Sequence, residues 1–181
     1  MKRVIGILGS SNPSGNTAAL LRTCMHYLDG RMIDLSSYNL TGWDYHHQNA
    51  DDPFREVASQ LVKADIIIFA TPVYWYSMSS QMKIFFDRLS DLISSHPKME
   101  GNKGIGRSLA GKQAWLVATG ADQQLPLGFE VPFEKTSEYF DINYHGVFYK
   151  SVQESQSYTP EEDRALRHFL SSIQEYLPTQ T

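Results

Sequence analysis

The sequence predicts a single open, doubly wound α/β domain over residues 1–181, with five parallel strands in the order 2-1-3-4-5 and helices on both faces. Three observations lead to that fold class. Short apolar runs alternate with helical patterns from end to end, which requires parallel pairing through right-handed crossovers. Runs such as Ile66 to Phe69 are unbroken rather than alternating, as in strands covered on both faces. The two least ordinary loops, Ser10 to Asn16 and Pro72 to Met78, follow the first and third strands, whose carboxyl ends flank the switch point of that strand order.

Each element has a local reason. Arg3 to Gly9 is the first strand, Thr17 to Asp29 a helix with Leu20, Leu21, Cys24, Met25 and Leu28 on one face, and Gly30 its stop. Arg31 to Leu35 is a short second strand. Asp52 and Pro53 form an N-cap and first-turn pair for a helix whose stripe is Phe54, Val57, Ala58, Leu61 and Val62. Asp65 to Thr71 is the third strand. Ser79 or Ser80 caps the next helix, with Met82, Phe85, Phe86, Leu89 and Ile93 inward and Lys83 and Asp87 paired one turn apart. Gly101 to Gly106 reads as a glycine-rich loop, Lys112 to Thr119 as the fourth strand, Glu130 to Asp141 as a weaker helix and Gly146 to Tyr149 as a short fifth strand. Thr159 and Glu162 read as a capping box around Pro160, opening a last helix to Leu177.

Composition narrows the function classes. A chain of 181 residues buries roughly 70% of its unfolded surface in one domain, and no repeat or composition shift marks a second. A net charge of −4 with scattered Lys and Arg gives no footprint for nucleic acid. No apolar run has the length of a bilayer span, and Val4 to Leu8 is too short for a secretory core, so the expected location is cytoplasmic. The single cysteine, Cys24, falls on a helical face and reads as core packing, and the six histidines lack metal-ligand spacing, so no metal site is expected.

The loop Gly9-Ser10-Ser11-Asn12-Pro13-Ser14-Gly15-Asn16-Thr17 joins a buried strand to a helix amino terminus and offers hydroxyls, amides and the helix's partial positive charge without any Lys or Arg. A phosphate can be held there by dipole and hydrogen bonds. It is neither a Walker loop, since Ser14 stands where the second Gly belongs and no Lys follows, nor a Gly-x-Gly-x-x-Gly fingerprint. Taken alone it also suits an ordinary capped turn. Ala70-Thr71-Pro72-Val73-Tyr74-Trp75-Tyr76-Ser77-Met78 sets three aromatics at the sheet's ligand edge, where the amides of Val73, Tyr74 and Trp75 are expected to stay free for a flat heterocycle. The same three rings in isolation also suit a core cap or a subunit seam. A phosphate pocket beside an aromatic-rimmed flat pocket at the switch point is what a phosphorylated tricyclic cofactor requires.

At these residues the chain resembles the flavodoxin-like NAD(P)H-dependent FMN reductases and quinone reductases. Gly9 to Thr17 is similar to their FMN-phosphate loop. Thr71 to Ser79, with Gln81-Met82-Lys83 and Phe86-Asp87-Arg88, is similar to their isoalloxazine loop and following helix, and Val117-Ala118-Thr119-Gly120-Ala121 to a third loop against the flavin. The resemblance implies a flavodoxin-like three-layer sandwich that binds FMN through Ser10, Asn12, Ser14, Gly15, Asn16, Thr17, Pro72, Val73, Tyr74, Trp75, Tyr76, Thr119 and Gly120. It implies NADPH or NADH as donor, a small-molecule acceptor (a quinone, free flavin, azo compound or metal ion), a homodimer or higher homo-oligomer, and no protein catalytic residue, because flavin carries the chemistry. Relatives with an iron-sulfur cluster place cysteines between strands 2 and 3, where this chain has Leu40 to Asp51 and no Cys, which implies a cluster-free enzyme.

Other chemistry-bearing residues have plainer readings. His145 reads as an exposed loop residue, Asp87 and Arg88 as a helix-surface ion pair or subunit contact, and Lys103 as solvated. The competing function is an electron carrier of the flavodoxin type, which lacks support in the absence of a Thr-rich phosphate loop and of strong acidity. A receiver domain of the same topology needs acidic residues where Gly9-Ser10 and Thr71-Pro72 stand.

Overall fold

The computed structural model describes residues 3–153 and 158–177. Five strands form a parallel sheet: β1 (Val4–Leu8), β2 (Arg31–Asp34) and β3 (Ile66–Tyr74), then, beyond the two-residue β4 (Ser77–Met78), β5 (Gln113–Gly120) and β6 (Asn143–Ser151). The order is β2-β1-β3-β5-β6, with β4 antiparallel on the end of β3. This is the expected 2-1-3-4-5 arrangement with one small hairpin strand added.

Side chains alternate between two cores, as the pleat requires. Ile5, Ile7, Ile67, Phe69, Leu116 and Ala118 face α2 (Phe54–Val62), α3 (Ser80–Arg88) and α5 (Val131–Tyr139), beside the short α4 (Asn102–Arg107). Val4, Leu8, Ile66, Ile68, Ala70 and Val117 face α1 (Asn16–Tyr27) and α6 (Arg164–Gln174). Unbroken apolar runs in the strands are thus two interleaved faces. Leu166, Leu170 and Ile173 of α6 are all fully buried, each stabilising by about 1.5–3 kcal/mol.

Several boundaries differ from expectation for physical reasons. Asp163, not Thr159, caps α6: its carboxylate accepts from the amides of Ala165 (2.9 Å) and Leu166 (3.2 Å), while residues Pro160–Glu162 form a separate 3-10 turn. Gly101 to Gly106 is not a loop, since Asn102–Arg107 is helical after a left-handed Gly101 at φ 88°. Ile93 is 45% exposed, because α3 continues from Arg88 into the 3-10 turn Leu89–Leu92, whose tighter winding ends the 3.6-residue stripe. The last strand is longer than Gly146 to Tyr149 and carries an irregularity opposite Trp115.

Arg88 reverses its expected role. It is 1% exposed, and its guanidinium pairs with Asp91 (2.7 Å), with both oxygens of Asp52 and with the carbonyl of Thr41 (3.0 Å). Asp91 also meets Nδ1 of buried His47 at 3.2 Å, so one ionic cluster ties residues 41–52 to the end of α3. Asp87 keeps the expected exposed pair with Lys83. His145 lies in β6 rather than a loop, stacked on Trp115 with ring centroids 4.4 Å apart, and burial holds its imidazole below the ordinary value. Cys24 is fully buried, as its helical spacing predicts.

Candidate functional site at the carboxyl edge of the sheet

Three loops meet where β1, β3 and β5 end. The first is built around Asn12. Its amide donates to Ser10 Oγ (3.2 Å), its side-chain Oδ1 accepts from the Ser14 amide (3.0 Å), and its carbonyl accepts from the Gly15 amide (3.1 Å). Ser10 is buried and its hydroxyl returns a bond to the Asn12 carbonyl. The loop thus satisfies itself and delivers the chain to α1 with Gly15 at the N-cap position. Gly15 has no side chain to cap the first-turn amides, and that turn contains no acid. The positive end of the helix is left open to an anion. Arg22 on α1 donates to the Pro13 carbonyl, bringing a cation to a loop that has none in its own sequence.

The second loop is a hairpin. Val73 pairs with Met78 and Tyr74 with Ser77, leaving Trp75 and Tyr76 as a two-residue turn with φ of 49° and 64°. The expectation that Tyr74's amide stays free is corrected by this pairing, which engages its backbone. Pro72 is buried opposite Thr119, whereas the side chains of Tyr74, Trp75 and Tyr76 are 43%, 93% and 70% exposed. They cap no core.

The third loop closes the site. Thr119 Oγ1 lies 2.6 Å from Thr17 Oγ1, both buried. A Cβ on Gly120 would stand 2.8 Å from the Tyr149 hydroxyl and 3.1 Å from Val73 Cβ, so only glycine permits these three chains to close on one another. Tyr149 in turn donates to the Asp122 carbonyl at 2.6 Å.

Ser79 joins the first two loops. Its hydroxyl donates to the Gly9 carbonyl (2.7 Å) and accepts from the Met82 amide as the cap of α3, and its own amide donates to Thr71 Oγ1 (3.0 Å). A Cβ on Gly9 would fall 2.6 Å from that of Met82, which is why the end of β1 can lie against α3. Ser11 Oγ and the Tyr74 hydroxyl complete the bridge at 3.2 Å. The expected residues therefore come together through Thr17 with Thr119, Val73 with Gly120, and the two loops with each other. Asn16 is exposed at the start of α1, and Ser14 is exposed beside it. Sequence reading missed the roles of Ser11, Arg22 and Tyr149. Nothing local marks them, since each acts on a partner distant in the chain or outside its own element.

The family model for NADPH-dependent FMN reductase matches residues 2–127. YwqN of Bacillus subtilis, named an NAD(P)H-dependent FMN-containing oxidoreductase, is 26% identical over 152 residues, covering 80% of this chain and 82% of that protein. The iron-sulfur flavoprotein MJ1083 of Methanocaldococcus jannaschii is 28% identical over 153 residues, 78% of this chain and 72% of its own. Among solved structures, the apo form of the NADH:FMN oxidoreductase EmoB superposes with a TM-score of 0.69 at 20% identity, over 99% of this chain and 92% of that one, which shows a shared fold. With most of its length inside the matched model, the chain belongs to the NADPH-dependent FMN reductase family.

Proposed function

We propose that this protein is an NAD(P)H-dependent oxidoreductase that binds FMN across the three loops and delivers reducing equivalents to a small-molecule acceptor such as a quinone, free flavin, azo compound or metal ion. The observation that carries the reading is the uncapped, acid-free amino terminus of α1 joined through Thr17 to Thr119. The residues fit a single terminal phosphate better than a bridging pyrophosphate, because the loop closes on itself at Asn12 and leaves one donor cluster at the helix end. Ser10, Asn12, Ser14, Gly15, Asn16 and Thr17 would hold that phosphate. Pro72, Val73 and the Tyr74-Trp75-Tyr76 turn, with Thr119 and Gly120, would hold the flat ring system.

When bound, FMN supplies hydride chemistry at N5 between a nicotinamide and an acceptor. The protein's own residues bind, orient and exclude water; no side chain of the site is needed as an acid or base. One aromatic-rimmed pocket does not hold nicotinamide and a flat acceptor together, which supports ping-pong turnover. Tyr74, Trp75 and Tyr76 on an open edge, and a separate apolar groove lined by Ile93, Val131 and Tyr139, support a homodimer. Among the described residues no helix is long and apolar enough to cross a membrane. We place the protein in the cytoplasm, with no nucleic-acid partner.

Heat release of the reconstituted cofactor, followed by chromatography, is expected to yield FMN and not FAD. Anaerobic mixing of the FMN-loaded protein with NADPH or NADH is expected to bleach the flavin band, and a quinone or ferric chelate to restore it. Bleaching by dithionite but by neither nicotinamide would replace the enzyme with an electron carrier. Sedimentation of a fully active monomer at micromolar concentration would remove the dimer.

A further inference from the structure

A second group of chemistry-bearing side chains lies past the opposite end of α3 from Ser79. Asp91 is in the 3-10 turn Leu89–Leu92 and Ser94 follows just beyond it, three residues on, a spacing that brings side chains to one side in such winding. The imidazole of His47 bridges the two. Its Nδ1 is 3.2 Å from Asp91 Oδ1 and its Nε2 is 3.1 Å from Ser94 Oγ.

The hydrogen bonds fix where each proton sits. A carboxylate only accepts, so Nδ1 carries the imidazole proton and Nε2 keeps a lone pair. The His96 amide donates to Ser94 Oγ at 3.1 Å, which leaves the serine's own proton to point at Nε2. Serine, imidazole and carboxylate therefore stand as nucleophile, base and orienting group, an arrangement recognised by geometry and not by order in the chain. Arg88 binds Asp91 through Oδ2, so Oδ1 remains for the imidazole. Lys98 holds the His47 carbonyl (3.3 Å) and the His96 ring lies against the imidazole with centroids 4.6 Å apart, which fixes the base in place.

A purely structural tie has no need of an open end, and this one has an open end at the nucleophile. The side chains of His47 and Asp91 are 5% and 1% exposed, whereas Ser94 is half-buried and lines a cavity of about 320 Å³ with Pro97, Met99 and Lys103. Lys103 Nζ bonds Ser95 Oγ at 3.1 Å, which sets a cation next to the serine for a developing oxyanion. The cavity is at the small end for ligand sites, and Pro97 and Met99 give it apolar wall for a short acyl chain.

We propose that Ser94, His47 and Asp91 form a second catalytic site, independent of flavin, that hydrolyses small esters of short carboxylic acids. Ser94 Oγ bonds to the ester carbonyl carbon while His47 Nε2 takes the serine proton. The bond from that carbon to the alcohol oxygen then breaks, and the proton passes to the departing oxygen. Water attacks the acyl-serine with Nε2 again as base, the carboxylic acid leaves, and Ser94 recovers its proton. Only the ester and water are consumed, so failure of this site would leave the oxidoreductase reading untouched.

The test treats the full chain with a fluorophosphonate and maps the modified peptide by mass spectrometry. The phosphonyl group is expected on Ser94. Hydrolysis of para-nitrophenyl acetate at neutral pH is expected to fall about a hundredfold in Ser94→Ala and in His47→Asn, and to stay at the wild-type rate in a variant of the exposed Ser108, Ser108→Ala. Should His47→Asn not fold, the labelled residue and the Ser94→Ala rate decide. An unmodified Ser94, or equal hydrolysis by wild type and Ser94→Ala, overturns the site. A Ser94→Ala protein that melts lower while wild type hydrolyses nothing would make the three residues a tie between segments, which also overturns it.

Discussion

Thr17 and Thr119, 102 residues apart in sequence, share a 2.6 Å hydrogen bond between buried hydroxyls. The bond fastens the first turn of α1 to the end of β5. Both hydroxyls are buried, so removing one leaves the other without this partner. Thr17→Val is expected to cost about 1–3 kcal/mol of stability, and Thr17→Val with Thr119→Val to recover most of it, because both polar groups are then gone. FMN affinity, followed by flavin fluorescence titration, is expected to fall about tenfold or more in both variants, since a hydrogen-bonding group near a charged ligand is lost in each. Full affinity in the double variant would show that the pair only supports the fold.

Gly120→Ala tests the close approach of three chains. The added methyl would meet the Tyr149 hydroxyl at 2.8 Å and Val73 Cβ at 3.1 Å, so β3 and β6 must give way. We expect a loss of about 1–3 kcal/mol in denaturant titration, with weakened FMN binding because Val73 moves. An unchanged unfolding midpoint would mean that the two strands shift freely.

The cluster at Arg88 sets part of the acid stability. Burial by itself pushes the Asp52 carboxyl up, and the Arg88 guanidinium with the amides of Phe54 and Thr41 more than reverses this, leaving it below the ordinary carboxylate value. A carboxylate held low in the folded state contributes stability that is present above its unfolded value of about 3.9 and lost as pH falls through the folded one. Thermal melting is therefore expected to drop below about pH 4, and to drop less in Asp52→Asn, which lacks that contribution at every pH. Asp163, held low against its own burial by Lys150 and the amides of α6, acts in the same direction, and the difference between the two proteins isolates Asp52. Arg88→Ala, which leaves Asp52 and Asp91 without their cation, is expected to cost about 3–5 kcal/mol.

Cys24 is expected to be silent. Burial pushes its thiol up to about 12, so almost none is thiolate at neutral pH and none is accessible. A thiol reagent should register no thiol in the native protein and one after denaturation. Rapid native labelling would mean that α1 opens from the sheet.

What could be read from the sequence was whatever repeats or sits next to its cause. Ile66 to Phe69 announces a strand by its own composition, the stripe of α1 by its spacing, and the Ser79 cap by its place before a helix, and with these the sheet order follows. Arg88 was misread because its charge breaks the helical stripe, while its partner Asp52 lies 36 residues upstream in an irregular segment. The hairpin at β4 was missed because turn chemistry expects Asn and Gly where Trp75 and Tyr76 stand. The cap of α6 was displaced four residues along the chain because Thr159 and Glu162 match a local pattern, whereas Asp163 also draws in Lys150 from β6. The site loops were legible as loops; the contacts of Thr17 with Thr119 and of Ser11 with Tyr74 exist only after folding.

Ser79 bonds to the end of β1, to β3 and to the first turn of α3 at once. Two loops that end separate strands, the ones we propose to hold FMN, are therefore joined into a single rim by one side chain. Loading such a rim orders little backbone, so cofactor uptake should carry a small heat-capacity change and leave amide exchange around Gly9 and Thr71 almost unaltered. An emptied chain is then expected to keep its shape and to take up FMN again without refolding, so that the cofactor would act as an exchangeable part rather than as a scaffold for assembly.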